Sequence, residues 1–167
     1  MRRLSLILLA CLVAVPAALA ASGAAGDGSL ELRAVYGNVT IAGDGVLWGQ
    51  MDRGALAVTD PLPGDGTVYV TGADKPMKLL ADGSTLYTGR DLTFRITGGT
   101  YKLKFTNGSG IDLTTVGVGK ATILPSLTAI DDGDYAVDGN KWKSVPILDP
   151  ITVPFGTKTT PPPPAGP

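Results

Sequence analysis

The sequence predicts an all-β domain of antiparallel hairpins or a meander, closed as a β-sandwich or barrel. Three observations predict it. Short runs rich in Val, Thr, Ile, Tyr and Leu recur, and many start about 8–12 residues apart, the rhythm of sandwiches and barrels. No stretch keeps apolar residues at helical spacing. The chain holds 23 Gly and 13 Pro. Its acidic residues are all Asp except Glu31, and Asp favours turns where Glu favours helices.

The strands follow in order. We read them at "SLELRAV", "NVTIA", "VLWGQM", "ALAVT", "TVYVTG", "TLYTG", "LTFRIT", "TYKLKF", "IDLTT", "GKATIL", "DYAVD" and "KWKSV". The intervening "DPLPGDG", "ADG", "TNGSG" and "DDG" are turn chemistry: Pro presets φ, Gly supplies positive φ, and Asp or Asn bonds nearby backbone. Within "GDGVLWGQMDRG" a bulge at Gly49 would let Val46, Trp48 and Met51 all face the core, with Leu47 and Gln50 outward.

The clearest unit is "LTFRITGGTYKLKF". A two-residue turn at Gly98-Gly99 would place Ile96 opposite Tyr101, Phe94 opposite Leu103 and Leu92 opposite Phe105. All six apolar side chains then share one face. The same strands could instead stack in parallel as rungs of a short β-solenoid, which also aligns the faces.

The ends differ from this domain. Arg2 and Arg3, an apolar run from Leu4 to Val15, Pro16 and "ALA" at residues 18–20 have the layout of a secretory signal peptide. The run is short against the ~20 residues of a membrane span. A rival reading takes "LLAC" as a lipoprotein signal with Cys11 as the lipidated residue. Residues 21–27 read as a flexible segment and 28–155 as the folded domain. Residues 156–167 include "PPPP" at Pro161–Pro164 and read as a disordered Pro-rich tail. The localisation implied is secreted or envelope-associated, with no membrane span after the leader is removed.

Composition excludes more than it identifies. Cys11 is the single cysteine, so cleavage after Ala20 removes disulfides and thiol chemistry. There is no histidine, which excludes Ser-His-Asp and Cys-His nucleophile systems and His-ligated zinc. The formal charge is −1, too balanced for a nucleic-acid partner. A carboxylate-pair hydrolase needs no histidine, but it needs two carboxyls facing each other in a cleft.

Several phrases, "GALAVTDP", "YTGRDLTFRITGGTYKLKF", "GSGIDLTTVGVGKATI" and "DDGDYAVDGNKWKSVP", span roughly Gly28 to Pro146. Together they resemble a group of small secreted β-rich actinobacterial proteins. The resemblance implies export and an all-β domain. It transfers no activity and no site residue.

Four features remain as candidate sites. Asp131, Asp132, Asp134 and Asp138 could supply oxygens to calcium, but they lack EF-hand order and read first as an exposed turn. Asp60 and Asp65 are a weaker version of the same. "GVGKAT" lacks phosphate-loop spacing. Arg95, Lys102 and Lys104, with Arg90, would form a basic patch on the hairpin's solvent face, able to hold an anionic polymer or simply keeping a strand face soluble and unpaired. Among the aromatics Tyr36, Trp48, Tyr69, Tyr87, Tyr101, Tyr135 and Trp142, core packing is the default. Trp142, between Lys141 and Lys143, suits either a buried side chain or a sugar-stacking one, with burial preferred. The sequons at Asn38 and Asn107 matter only in a glycosylating host.

No catalytic, metal or cofactor residue is assigned. The expected function is an exported, non-enzymatic structural or adhesive protein. A small binding module for carbohydrate or an anionic wall polymer is the alternative, and a carboxylate hydrolase stands third.

Overall fold

A computed structural model describes residues 27–60, 62, 64–74, 77–126 and 132–156. Residues 1–26, on which the expected leader falls, and the Pro-rich segment from residue 157 lie outside them, as does Asp131. Every regular element among the described residues is a strand: β1 (Gly28–Thr59), β2 (Val68–Ala73), β3 (Lys78–Leu79), β4 (Thr85–Ile96), β5 (Thr100–Pro125), β6 (Asp134–Val137), β7 (Lys143–Ser144) and β8 (Ile151–Phe155). All pairings between them are antiparallel, which leaves no place for a parallel solenoid. The main order is β2-β4-β1-β5-β8. Strands β2 and β8 do not pair with each other, so the sheet is not closed into a barrel.

Nine of the expected strands merge into three much longer ones, β1, β4 and β5. Strand β1 runs through four of them and β5 through three. The reason is visible in the pairing. Thr115 pairs with both Leu30 and Leu47, and Phe105 with both Val39 and Leu56. Ile41 in turn pairs with Leu103 on one side and Ala121 on the other. Two straight strands cannot do this. Strands β1 and β5 therefore wind about each other as an antiparallel ribbon whose neighbouring passes are hydrogen-bonded.

Winding requires corners, and the turn-forming residues supply them inside the strands. Positive φ occurs at Ala34, Gly37, Gly45 and Gly54 in β1, at Asn107, Gly110 and Gly117 in β5, and at Asp91 in β4. One tight crossing is at Gly117, which pairs with both Gly28 and Gly45. A Cβ on Gly117 would lie 2.9 Å from the Gly45 Cα and closer still to the Asp44 carbonyl oxygen.

The bent sheet folds over one core of inward-facing side chains, Leu30, Val39, Ile41, Leu47, Leu56, Leu92, Leu103, Phe105, Ile111 and Ile123 among them. Two contacts join its opposing layers. The Phe94 and Phe105 rings, on strands that do not pair, stand 5.2 Å apart at 56°. The buried Tyr101 hydroxyl is hydrogen-bonded to the buried Thr115 hydroxyl, which itself donates to the Val46 carbonyl at 3.0 Å.

The expected hairpin at Gly98-Gly99 does not form. Strand β4 pairs with β1 and β2, so Ile96 lies opposite Leu47 and Val68, while Tyr101 lies opposite Gly43. Its six apolar side chains do all point inward. Alternation was sound, but the chain crosses from one layer to the other at the two glycines instead of doubling back. Strand β8 is a second correction. It is absent from the expected strands, yet it pairs with Gly119–Ile123 and buries Val153 and Phe155. Its Pro154 is tolerated because β8 is an edge strand.

Candidate functional site

On the outer face of one layer, alternate positions of four segments line a groove of about 1120 Å³. Strand β1 contributes Glu31 and Arg33 from one pass and Trp48 and Gln50 from another. Strand β5 contributes Asp112 and Thr114, and β4 contributes Thr93 and Arg95. Pairing aligns Glu31, Thr114, Trp48, Arg95 and Tyr69 in one row across five strand segments. Asp112, Gln50, Thr93 and Thr71 form the next row. At ~4.8 Å between strands, the five-residue row spans about 19 Å.

Trp48 stands near the middle of that row and is 43% exposed. This overturns the bulged-strand reading of Gly43–Gly54. The register from Leu47 to Met51 against β4 is unbroken. Leu47 and Met51 are buried, and Trp48 and Gln50 point outward. Gly49 takes the inward position between them because Leu113 and the Asp112 carbonyl leave no room for a Cβ. The larger apolar side chain was assigned to the core, and the plain period of two decides otherwise.

Trp142 also departs from its expected burial. It is 37% exposed and lines the same groove. It belongs to the link between β6 and β7, and β6 is fixed beside β1 by pairs from Leu30–Val137 to Arg33–Asp134. The Arg33 guanidinium carbon lies 4.2 Å from the Trp142 ring centroid, a cation–π contact that positions the indole. The polar floor is held as well. The Asp112 carboxylate accepts the Ala34 amide at 2.7 Å and the Gln50 side-chain amide at 3.3 Å, so both its oxygens are engaged.

The other candidates are dispersed. Asp132 is buried and accepts the Ser126 amide, Asp134 accepts the Ser144 hydroxyl, and Asp138 accepts the Ser29 and Gly156 amides. Each carboxylate fastens a different junction. Among the described residues no group of three or more His, Cys, Asp or Glu is arranged to hold a metal ion. Asp60 and Asp65 bind backbone in the loop after β1 and at Thr100. "GVGKAT" is the Gly117 corner and the strand beyond it. Asn38 accepts the Asn107 backbone amide, so the two sequon asparagines meet at one corner.

The basic patch is split. Phe94 and Phe105 meet in the core, so Arg95 beside the one and Lys104 beside the other face opposite sides of the molecule. Lys102 lies with Lys120 on that second face, both paired with Ala42. Arg90 sits opposite Arg53. Strand β5 is interior, so its lysines do not guard an edge.

Sequence reasoning had Trp48, Tyr69, Trp142 and Arg95 in view, though not together. It missed Glu31, Arg33, Gln50 and Asp112 as groove residues. Their one local signal was outward alternation, which every solvent-facing strand residue shares. Comparison with family models, with characterised proteins and with solved structures gives no match to this chain.

Proposed function

We propose that the protein is an exported, non-enzymatic glycan-binding module, serving adhesion or attachment at the cell envelope. One observation carries this reading: two exposed tryptophans line one groove on a strand face, with hydrogen-bonding side chains between them. Indole faces stack on the apolar faces of sugar rings, while Gln50, Thr114 and Glu31 offer donors and acceptors to hydroxyls. Export is supported by the leader-like residues 1–20 and by the resemblance to secreted β-rich proteins.

Engagement of Asp112 favours binding over hydrolysis. Glu31 and Asp112 are diagonal neighbours on paired strands, ~7–8 Å apart, a spacing that an inverting glycosidase could use. Yet both Asp112 oxygens already accept hydrogen bonds, one of them from a backbone amide at a corner. That carboxylate is a structural tie, poorly placed to take or give a proton.

The test is retention of the protein on isolated cell-wall and glycan fractions, with and without EDTA. Wild type is retained, Trp48→Ala and Trp142→Ala each reduce retention, and chelation changes nothing. Absence of retention on every fraction would refute the proposal.

A further inference from the structure

Each tryptophan in the groove has an arginine for company. Arg33 stacks on Trp142. Arg95 lies directly opposite Trp48, at a Cβ separation of ~4.5–5.5 Å for such a pair. Its remaining sheet neighbours carry no charge: Tyr69 lies across the other strand gap, and Thr93 and Thr97 flank it on its own strand. The two groove carboxylates do not neutralise it. Asp112 is taken by Ala34 and Gln50. Glu31 lies beyond Trp48 and Thr114 in the row, three strand steps from Arg95, or about 14 Å.

An exposed guanidinium at this position presents a planar fork of donors beside a stacking surface. That fork matches a carboxylate bidentately, which a sugar hydroxyl cannot reproduce. We infer that the groove is selective for acidic glycans: a uronic acid ring stacks on Trp48 while its carboxylate is clasped by Arg95. Arg33 stacks on Trp142 but lies opposite Asp134, so the clasp is assigned to Arg95 alone. This rests on the glycan-binding reading and names its ligand class.

The experiment uses the purified secreted chain in affinity electrophoresis through gels containing polygalacturonate or a neutral β-linked glucan, at low and high salt. Wild type is retarded more by polygalacturonate, and the difference shrinks as salt rises. Arg95→Gln weakens polygalacturonate binding about tenfold, the loss expected for one charge-assisted contact. Arg95→Lys restores part of it, and both variants lose less retardation by the glucan than by polygalacturonate. Arg95 is exposed, so folding is preserved, and circular dichroism verifies it. The inference is overturned if Arg95→Gln binds polygalacturonate like wild type. It is equally overturned if wild type binds the neutral glucan as well as the acidic one, or if Lys102→Gln with Lys104→Gln removes the acidic binding from the opposite face. Binding to neither polymer would overturn the glycan reading too, so the two failures are distinct.

Discussion

Substituting Gly117→Ala places a methyl group where two passes of β1 cross β5. Gly117 has φ +147° and pairs with both Gly28 and Gly45. The added Cβ would meet backbone, the Asp44 carbonyl and the Gly45 Cα at 2.9 Å, with no flexible side chain to move aside. Overpacking of this kind costs about 1–3 kcal/mol. Backbone strain at positive φ adds about 1–3 kcal/mol. Less the ~0.4–1 kcal/mol by which Ala stiffens the unfolded chain, the combined loss is about 3 kcal/mol, a large part of the ~5–15 kcal/mol that holds a typical domain together. Gly139→Ala separates the two contributions. Gly139 has φ +69° but nothing within 4 Å of its Cβ position, so only the conformational cost applies there. That cost is about 1–2 kcal/mol, offset by about 0.4–1 kcal/mol from the stiffer unfolded chain. Urea denaturation measures both variants. With a slope of ~2 kcal/mol/M, Gly117→Ala should lower the midpoint by about 1.5 M and Gly139→Ala by no more than about 0.8 M. Equal midpoints for the two variants would refute close backbone packing at the Gly117 crossing.

Other outcomes follow from single contacts. Burial raises the Tyr101 phenol pKa above its usual value, against a smaller opposing effect from its Thr115 hydrogen bond. The unfolded chain therefore loses that proton first as pH rises. Stability is intact below the unfolded value near 10 and declines above it, whereas Tyr101→Phe shows no such tyrosine-linked decline in urea midpoints between pH 8 and 11. Ala34 holds φ +49° inside β1, so Ala34→Gly relieves about 1–2 kcal/mol of strain against about 0.5–1 kcal/mol of added chain entropy, and thermal unfolding should shift slightly upward. Asp112→Ala strands the Ala34 amide and frees Gln50, which should cost about 1–3 kcal/mol in chemical denaturation and weaken glycan retention as well. Trp48→Ala should reduce glycan retention with little change in urea midpoint, because the side chain is 43% exposed.

How much was legible can be judged from particular residues. Alternation in "LTFRITGGTYKLKF" identified six inward side chains, and all six are buried. The partners assigned to them were wrong, because Gly98-Gly99 reads locally as a hairpin turn whether the chain reverses or merely crosses to the facing layer. Asp44-Gly45, Asn107-Gly108 and Gly117 share that ambiguity. A residue suited to positive φ marks a change of direction without stating its size, and here most of those changes are corners within β1 and β5. The groove was illegible for a related reason. Its residues come from positions 31–33, 46, 48–50, 93–97, 112–114 and 142. Only the winding of β1 past β5 sets Glu31 and Trp48 in one row.

The sequence by itself determined the class of the fold and the inward face of most strands, because side-chain direction in a strand has a period of two and is set residue by residue. It also removed histidine and disulfide chemistry. The tertiary structure decided which strands pair, that β1 and β5 are single wound strands, and that Trp48, Trp142, Arg33 and Arg95 share a surface. Those outcomes depend on backbone pairing between distant segments, whose register rests on the core they jointly bury and not on any one of them alone.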